Sequence, residues 1–403
     1  MNNETYDVVI IGAGIIGLAT ALKLLEKKPN IKLGIIEKDP KVGQQQSGHN
    51  SGVIHSGIYY KPGSFKANFC VAGRKSMTDY CIENEIPVWT CGKLIVATDE
   101  ASESRLDDLE ERGKANNVDG LRIVGKEEIK EIEPHVNATK ALYAPKTGIV
   151  DYTKVSHSYY EKILNMSGEV FLSTKVIGFQ RDSDISIIKT INGEIKSKNV
   201  INCAGLHSDI IAETMDVTTD VRIIPFRGEY YKLSKNSEHL VKGLIYPVPD
   251  PAFPFLGVHL TQTMKGWVEA GPNAVLAWKK EGYSKTDFSI NDTLRTLSFK
   301  GFWKLSLRDW KTGLWEINRS LRKTVFLNSL KKLVPELKSE DLSGKGSGVR
   351  AQAVDNEGNL VDDFKIIELD KAIHVLNAPS PGATASLVIG EHIAGIAENN
   401  FSL

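Results

Sequence analysis

Three glycines near the N-terminus have the spacing of a phosphate-binding turn. Gly12, Gly14 and Gly17 follow a short apolar segment, residues 6–11, which is suited to a buried parallel strand. In this pattern Gly12 permits the sharp turn from strand to helix, and Gly14 lets the backbone approach a pyrophosphate. Gly17 lets the helix lie close to the sheet. The helix that follows would direct its N–H groups and the positive end of its dipole at the phosphates.

Glu37 completes the pattern. It ends a second predicted strand, residues 33–37, and lies about 20 residues beyond Gly17. A carboxylate there accepts the hydrogen bonds of an adenosine ribose and repels a 2′-phosphate, which favours FAD or NAD over NADP. Lys38, the next residue, is expected to contact the same cofactor. Residues 6–37 therefore predict a redox enzyme with an adenine dinucleotide, and by themselves they leave FAD and NAD as alternatives.

The length and composition limit what else the chain can be. A chain of 403 residues is expected to form two domains. Fifty basic and 50 acidic side chains cancel, so no overall field favours a nucleic-acid partner. The four cysteines form no CxxC pair and match neither a zinc site nor a disulfide framework. We therefore expect no metal site, and buried thiols in a reducing, cytoplasmic compartment.

Residues 8–25 form an apolar stretch close to the length of a membrane span. The seven residues before it contain no Lys or Arg, unlike the start of a signal peptide. The three glycines inside it fit a tight turn better than a helix that faces lipid. We expect neither a targeting signal nor a transmembrane helix.

The segment 43–63 is small, polar and rich in glycine, and it follows the acidic residue directly. Backbone amides and short polar side chains in such a segment can line an extended cofactor, although composition alone also fits an ordinary flexible loop. The expected cofactor contacts here are Ser47, His49, Asn50, Ser51 and Gly52.

Segments along nearly the whole chain resemble one family of flavoproteins. They are HNSGVIHSGIYYKPGS (49–64), NCAGLHSD (202–209), RGEYY (227–231), AGPNAVLAW (270–278), GVRAQ (348–352) and NAPSPGATASLVIGEHIA (377–394). Together they resemble the L-2-hydroxyglutarate dehydrogenase/oxidase group of the D-amino-acid-oxidase-like FAD-dependent oxidoreductases. The first and last segments are the most specific. The resemblance favours FAD over NAD.

The resemblance implies an α/β fold with two domains. The first is a Rossmann-type FAD-binding domain with the glutathione-reductase-like βαβ unit, formed by residues 1–85, 145–220 and 345–403. The second is a discontinuous α+β substrate domain built on an antiparallel sheet, formed by residues 86–144 and 221–344.

Further cofactor contacts follow from the resemblance. The strand 174–179 resembles one whose backbone meets the adenine, which suggests Val176, although a plain core valine is the alternative. The predicted strand 200–204 ends in small residues, and Ala204 and Gly205 would let the backbone pass close to the cofactor.

The C-terminal segment predicts a strand, residues 372–377, and then a helix that extends to about residue 397. Ser380 fits the N-cap position and Pro381 the first helical position. The family places such a helix with its N-terminus at the flavin, where it stabilises the negative charge of the reduced ring. The contacts expected from this segment are Pro381, Gly382, Ala383 and Thr384.

Oxidation of a 2-hydroxy acid needs a base for the hydroxyl proton and cations for the carboxylates. His55 is the first candidate for the base, because related glycerol-3-phosphate dehydrogenases have a similar segment beside the flavin. A neutral imidazole near its ordinary pKa of about 6.5 suits that task. His259, in a predicted strand of the substrate domain, is the second candidate. The residues leave open which of the two is the base.

Arg350 is the expected carboxylate anchor, because only arginine offers a planar, bidentate fork. Related oxidoreductases have an arginine in a corresponding segment. Tyr59, Tyr60 and Lys61 are candidates for the distal carboxylate, and Arg227 is a further candidate that fits a structural role equally well.

Residues 293–335 are basic and aromatic. They contain ten Lys or Arg against Asp309 and Glu316, and three of the six tryptophans. On one helix, Phe299, Trp303 and Trp310 would lie beside a stripe formed by Lys300, Lys304, Arg308 and Lys311. Such a helix suits an anionic membrane surface. The alternative is an aromatic face packed on the substrate domain beneath a solvated basic face.

The sequence therefore predicts FAD-dependent oxidation of L-2-hydroxyglutarate to 2-oxoglutarate, with electrons passed to a quinone or to oxygen. A small dicarboxylate is the expected substrate, and the segment 293–335 would hold the enzyme peripherally on the inner face of the cell membrane. The alternative within enzymes is an amino- or imino-acid oxidase of the glycine or D-amino-acid oxidase type. A non-catalytic dinucleotide-binding protein is disfavoured, because the candidate base, anchor and C-terminal helix are present.

Overall fold

The computed structural model describes residues 4–250, 257–401 and 403. Strands are numbered β1–β20 and helices α1–α11 in chain order. None of the described helices is long and apolar enough to cross a membrane.

The first sheet has a parallel core, in the order β20, β12, β1, β2 and β9. Two antiparallel additions, β10 with β11 and β19, extend it. Val8, Val9 and Ile10 of β1 are fully buried, as expected for an apolar strand covered on both faces. The strands are β1 (Thr5–Ile11), β2 (Leu33–Ile36), β9 (Glu169–Phe171), β10 (Val176–Asp182), β11 (Ile185–Thr190), β12 (Gly193–Asn202), β19 (Lys365–Leu369) and β20 (Ala372–Asn377).

Helices cover this sheet and complete its core. α1 packs between α5 and α11, and α11 also packs on α2, while α6 lies near β20. Their buried side chains include Leu18 and Leu22 of α1 and Ile389 and Ile393 of α11. The helices are α1 (Ile15–Lys27), α2 (Phe65–Glu83), α5 (Tyr152–Asn165), α6 (Ser208–Thr214) and α11 (Ser386–Phe401).

The second sheet follows the order β17, β13, β16, β15, β14, β5, β7 and β6, with β18 on the other side of β13. Among the described strands its pairs are antiparallel apart from β5 with β14. The strands are β5 (Lys93–Val96), β6 (Arg122–Gly125), β7 (Lys140–Ala144), β13 (Val221–Leu233), β14 (Leu244–Pro247), β15 (His259–Gln262), β16 (Val268–Gly271), β17 (Val275–Leu276) and β18 (Leu342–Asp355).

The remaining helices lie on the second sheet, and a small antiparallel sheet connects the two halves. Phe326 and Leu330 of α10 pack on Leu94 and Ile245 of the sheet. The small sheet has the order β3, β8 and β4. These elements are α3 (Glu100–Ala115), α4 (Lys126–Ile132), α7 (Ile290–Leu297), α8 (Lys300–Arg308), α9 (Trp310–Leu321), α10 (Lys323–Lys331), β3 (Val53–Ile54), β4 (Val88–Trp89) and β8 (Gly148–Val150).

The two large sheets take their strands from alternating parts of the chain. The first uses residues 5–36, 169–202 and 365–377, and the second uses residues 93–144 and 221–355. β18 therefore belongs to the second sheet over its whole length, although the predicted boundary at residue 345 divides it. The domain boundaries themselves stay a prediction.

The terminal helix begins later than the sequence predicts. α11 starts at Ser386 rather than at Pro381, and residues 381–385 form turns. In these turns Thr384 Oγ1 accepts a hydrogen bond from the His55 N–H at 3.1 Å and pairs with the Tyr152 hydroxyl at 3.0 Å. The prediction was wrong because the cap signals are local, whereas these tertiary hydrogen bonds determine the conformation before the helix.

The basic aromatic segment is not one helix. α8 ends at Arg308 and α9 begins at Trp310, with Asp309 between them in a non-helical conformation. Aspartate favours such a junction position, and its charge is paired with Arg308 at 3.0 Å. The single continuous stripe that the sequence predicts is therefore broken at Asp309.

A buried ion pair joins the first sheet's α6 to the second sheet. Lys280 and Asp209 are 2% and 0% exposed, and the Lys280 Nζ donates to Asp209 Oδ1 at 2.9 Å. The same ammonium donates to the carbonyls of Leu206 and Ile223. Burial opposes ionisation of Asp209, but Lys280 overcomes it and the pKa of Asp209 lies below its ordinary value.

We expect Lys280→Met to lower the free energy of unfolding by about 3–5 kcal/mol, because it leaves the buried carboxylate of Asp209 without its closest counter-charge. Lys279→Met is the matched control, since Lys279 is exposed and its loss should change stability by less than about 0.5 kcal/mol. Urea unfolding followed by circular dichroism measures both. Equal stability of the two variants would contradict the role of the pair.

Candidate active site

A cavity lies where the carboxyl ends of β1, β12 and β20 meet the second sheet. Its volume is about 510 Å³, within the range of roughly 300–1,000 Å³ that is usual for cofactor and substrate sites. Ile11, Cys203 and Asn377 border it from the first sheet, and Tyr246 and His259 from the second. Ligands of open α/β sheets bind at the carboxyl ends of parallel strands, so this cavity is the candidate active site.

The phosphate-binding turn lies on the cavity wall at Gly12 and Gly14. Gly12 has φ +103°, and a Cβ there would lie 2.6 Å from the Cys203 carbonyl oxygen. A Cβ at Gly17 would lie 2.0 Å from the Gly12 carbonyl oxygen, which is the close packing of helix and strand that the sequence predicts. The first N–H of α1, on Ile15, donates to Ser47 Oγ at 2.9 Å. The turn has the geometry that a pyrophosphate needs.

Glu37 and Lys38 border the cavity beyond this turn. Glu37 Oε2 accepts from the Ala13 N–H at 2.7 Å and Oε1 from the Asp39 N–H at 2.9 Å. Burial raises the pKa of Glu37, and these backbone hydrogen bonds oppose the rise. Each carboxylate oxygen keeps a lone pair for a ribose hydroxyl. Lys38 forms ion pairs with Asp39 at 2.8 Å and Glu281 at 2.7 Å.

The segment 43–52 is an ordered loop along the cavity, and Ser47, His49, Asn50 and Ser51 border it. The Asn50 side chain donates to the Ser47 carbonyl at 2.8 Å and accepts from the Gly52 N–H at 2.9 Å, so it holds the loop together. Gly52 lies outside the cavity lining, and its left-handed φ of +70° allows a close approach to the Val150 carbonyl. Gly52 therefore has a conformational role in this loop, and its contact with the cofactor stays a prediction.

The other predicted cofactor contacts border the same cavity. Val176 lies beside the start of β10, and Ala204 and Gly205 follow β12. From the C-terminal turns, the lining residues are Pro381, Gly382, Ala383 and Thr384. A helix N-terminus, a buried acid, a polar loop and small residues thus line one continuous wall. This donor set fits an extended dinucleotide such as FAD.

Both candidate bases, His55 and His259, border the cavity. The His259 Nδ1 lies 2.9 Å from the Gly257 carbonyl, so Nδ1 carries the proton and Nε2 is left as an acceptor. The His259 ring stacks on Tyr246 with centroids 3.9 Å apart. The buried Nδ1 of His55 has no hydrogen-bond partner among the described residues.

The two imidazoles are less basic than the sequence predicts. Burial and then the charge of Lys93 lower the pKa of His55 to about 3. Burial also lowers the pKa of His259 to about 4. The expectation of an ordinary pKa near 6.5 is therefore wrong, because the sequence does not show the burial or the lysine. Both imidazoles are neutral at neutral pH and can accept a proton.

Arg350 projects from β18 into the cavity, where it remains accessible although protein surrounds it. Its charge is close to Tyr60 and Tyr230, and it lowers the pKa of both phenols against the larger opposing effect of their burial. Tyr60 is also hydrogen-bonded to Ser380 of the C-terminal turns. Arg350 and these tyrosines are suited to bind a carboxylate.

Three predicted substrate contacts, Arg227, Lys61 and Tyr60, are not among the residues that border the cavity, although Tyr60 lies close to Arg350. Arg227 is 6% exposed, donates to Glu229 Oε1 at 3.0 Å and to the Ser284 carbonyl at 2.9 Å, and does not border the cavity. Lys61 is exposed outside the cavity lining. Arg227 therefore has the structural role that the sequence left open, and Lys61 is removed from the candidate contacts.

The sequence did not predict Tyr230 and Tyr246, which border the cavity, or Lys93, which lies against the Tyr246 ring beside it. Tyr230 and Tyr246 border the cavity together because β13 and β14 belong to one sheet, with β16 and β15 between them, and residue spacing does not reveal that order. For Lys93 a signal existed, since a lysine inside the apolar run CGKLIVA (91–97) is unusual.

Comparison with known proteins agrees with this geometry. The family model described as FAD dependent oxidoreductase matches residues 7–396. The L-2-hydroxyglutarate dehydrogenase of Indibacter alkaliphilus is 51% identical over 386 residues, which cover 96% of this chain and 97% of that protein. The mitochondrial L-2-hydroxyglutarate dehydrogenase of Homo sapiens is 41% identical over 420 residues, with 100% and 90% covered.

Solved structures show the same fold. The dithionite-reduced L-alpha-glycerophosphate oxidase of Mycoplasma pneumoniae with FAD bound has a TM-score of 0.79 at 23% identity, covering 99% of this chain and 95% of that one. Glycine oxidase of Geobacillus kaustophilus has a TM-score of 0.73 at 16% identity, covering 99% and 96%. The predicted α/β fold with a Rossmann-type FAD domain is confirmed. The chain belongs to the DAO family of FAD-dependent oxidoreductases, and FAD is its cofactor.

Proposed function

We propose that this enzyme oxidises L-2-hydroxyglutarate to 2-oxoglutarate. The observation that carries the proposal is that proteins with that substrate in their names are 41–51% identical to this chain over nearly its whole length. A neutral histidine and a carboxylate-binding arginine in one cavity fit the same reaction. Bound FAD supplies a hydride acceptor, and the protein supplies the base and the anchors.

Arg350 is proposed to bind the carboxylate next to the carbon that is oxidised. Its two parallel N–H groups match a carboxylate in a bidentate pair, which sets the orientation of the substrate. Tyr60 and Tyr230, both near Arg350, are suited to donate further hydrogen bonds to the same group. The fixed carboxylate would then place the substrate hydroxyl against the histidines.

His55 is proposed to take the hydroxyl proton. Its neutral state at neutral pH is what a base requires, and a bound substrate anion would raise its proton affinity by offsetting the charge of Lys93. His259 stacks on Tyr246 and has its tautomer fixed by Gly257, so it is suited to accept a hydrogen bond from the substrate. The two roles are separable by mutation.

We expect L-2-hydroxyglutarate to bleach the flavin of the anaerobic holoenzyme, and D-2-hydroxyglutarate, glycine and D-alanine to leave it oxidised. The reason is that hydride transfer requires the substrate α-hydrogen to face the flavin while both carboxylates are bound. The absorbance of the flavin measures its reduction by each compound. Bleaching by an amino acid instead would support the amino-acid oxidase alternative, and bleaching by none of the panel would remove the substrate assignment.

We expect His55→Asn to lower kcat by about 10²–10⁴-fold, the usual contribution of a general base, with little change in substrate affinity. His259→Asn is the matched variant on the other cavity wall and should have the smaller effect on kcat. The flavin content of each variant is the control for folding. A larger loss of kcat in His259→Asn would exchange the two roles.

The same assignment predicts the pH profile. A base is active when unprotonated, and the pKa of His55 is lowered to about 3, so the active form persists as the pH falls. We expect kcat/KM of the wild-type enzyme to show no acid limb near pH 6.5. Stopped-flow flavin reduction at low substrate concentration measures this, and a clear limb near pH 6.5 would refute a buried, depressed base.

The surface formed by α7, α8 and α9 bears on where in the cell the enzyme acts. Trp303, Leu307 and Trp310 are 50%, 75% and 55% exposed, while Phe299 and Phe302 pack against Ile224 and Val354. Of the predicted aromatic face, Phe299 therefore packs on the substrate domain, as in the alternative, whereas Trp303 and Trp310 are exposed. Exposed apolar side chains continue along α7 and α9 at Ile290, Leu294, Leu314, Ile317 and Leu321.

We propose that this surface docks on an anionic membrane. Lys300, Lys304, Arg308 and Lys311 are exposed among the apolar side chains, which gives the surface the charge that anionic lipid headgroups attract. Contiguous exposed apolar side chains are rare unless they contact a partner or a membrane. In this position the reduced enzyme is suited to pass its electrons to a membrane quinone.

We expect the holoenzyme to co-sediment with phosphatidylglycerol vesicles, and charge reversal at Lys300, Lys304, Arg308 and Lys311 to weaken partitioning by more than about tenfold, since each basic residue contributes about 1 kcal/mol. Reversal at four exposed lysines elsewhere, Lys126, Lys146, Lys235 and Lys265, is the matched control. Equal partitioning of the two charge-reversed proteins would contradict the docking proposal.

A further inference from the structure

A buried lysine, Lys93, lies beside the two candidate bases, His55 and His259. Lys93 of β5 is 1% exposed, and no ion pair with a carboxylate involves it in the described part of the chain. Its ammonium lies 4.7 Å from the ring centroid of Tyr59 and 4.9 Å from that of Tyr246. A buried charge is strongly unfavourable without a counter-ion, and tyrosine faces offset only part of that penalty. The arrangement is suited to an anion that a ligand brings.

The sheet places this charge next to the cavity. Lys93 pairs with Leu244 of β14, which pairs with Thr261 of β15. Because paired residues and alternate residues of a strand share a face, Lys93 lies on the same face as Tyr246 and His259. Both of those residues border the cavity, and the Lys93 ammonium lies over the Tyr246 ring, so one side chain separates it from the cavity.

Two more polar groups near Lys93 have no hydrogen-bond partner among the described residues. They are the hydroxyl of Tyr59 and Nδ1 of His55, and both atoms are buried. Buried polar atoms normally have partners, so their concentration around one lysine is unusual. A ligand carboxylate can accept hydrogen bonds from both a hydroxyl and an ammonium, and its negative charge also offsets that of the lysine.

We propose that Lys93 supplies the counter-charge for the distal carboxylate of the substrate, with Tyr59 as a hydrogen-bond donor, and so selects dicarboxylic over monocarboxylic 2-hydroxy acids. This inference rests on the proposed function, in which Arg350 binds the other carboxylate. The substrate would then lie between two cationic regions, one at Arg350 with Tyr60 and Tyr230, the other beside the cavity at Lys93 with Tyr59 and Tyr246.

The test compares two substrates of equal chain length, L-2-hydroxyglutarate and L-2-hydroxyvalerate, on Lys93→Met and Lys93→Arg. Lys93→Met should lower kcat/KM for the dicarboxylate about 10- to 100-fold, mainly through KM, because one charge-assisted interaction is lost. Its kcat/KM for the monocarboxylate should change less than about threefold. Lys93→Arg keeps the charge and should keep part of the preference.

Two outcomes would overturn the inference. Equal losses on both substrates with normal flavin content would assign Lys93 to the reaction itself, and unchanged kinetics in Lys93→Met would assign it no role. A structural role alone does not alter the ratio between the two substrates. Flavin content and the melting temperature of each variant show whether it has folded.

Binding of non-oxidisable analogues separates this inference from the proposed function. Flavin absorbance changes report the Kd of glutarate and of valerate for the wild-type holoenzyme and for Lys93→Met. A preference for glutarate that Lys93→Met abolishes would support the anchor even if L-2-hydroxyglutarate failed to reduce the flavin. A preference that survives in Lys93→Met would refute the anchor while leaving the proposed function intact.

A pH series on the wild-type protein supplies a further check, with Lys93→Arg as its control. Burial lowers the pKa of Lys93 to about 8, so its charge is lost as the pH rises through that value. The groups around it have shifted out of that range: burial raises the pKa of Tyr59, Tyr246 and Cys70 and lowers that of His55 and His259. The Kd of glutarate should therefore rise above about pH 8, by up to about tenfold per pH unit. Lys93→Arg should remove the rise, and a constant wild-type Kd would contradict the anchor.

Discussion

The site depends on how closely β1 and β12 approach each other at their carboxyl ends. The Cys203 N–H donates to the Ile11 carbonyl at 2.9 Å, and the Gly12 N–H donates to the Ile36 carbonyl at 2.8 Å. Between these hydrogen bonds there is no room for a side chain, since a Cβ at Gly12 would lie 2.6 Å from the Cys203 carbonyl oxygen. Three strands therefore end in bare backbone at one edge, and that edge is where a pyrophosphate can approach α1.

The second sheet must be held against this edge for the cavity to have a far wall. Polar contacts between the parts of the chain that form the two sheets lie around the cavity. Gln46 Oε1 accepts from the Ala351 N–H at 3.0 Å, and the Tyr283 hydroxyl donates to Gln45 Oε1 at 2.7 Å. The buried pair of Lys280 with Asp209 adds a charged connection behind α6. The loop that lines the cofactor wall is therefore also the loop that positions β18 and its Arg350.

The sequence predicts correctly those features that depend on residues close together in the chain. The glycines and Glu37 have roles that depend on neighbours within one βαβ unit, so residue spacing was sufficient to place them. The start of α11 depends on Thr384 meeting His55 and Tyr152, which lie far away in sequence, and the cap signals at Ser380 misplaced it.

The roles of charged residues also depend on distant parts of the chain, so the sequence alone could not assign them. Arg227 and Arg350 are equally good carboxylate binders as residues, and only the structure shows that Glu229 occupies the first. Lys93 has no local signal of function beyond a charge in an apolar strand, because its neighbours Tyr59 and Tyr246 come from two other parts of the chain. Pairing of β5 with β14 is a property of the sheet order, which spacing along the chain does not encode.

The electrostatics of the cavity follow from this arrangement. Burial keeps His55 and His259 neutral, and Lys93 adds to the effect, so the cavity region has cations beside weak bases. In the proposed mode of binding, a dianionic ligand would reverse that balance, because its charges would offset Lys93 and Arg350 and raise the proton affinity of the nearby imidazoles. Binding that neutralises the buried cations would therefore also make the proposed base stronger. A monocarboxylate would offset Arg350 alone and would gain nothing from Lys93, so the proposed preference for two carboxylates arises in substrate binding.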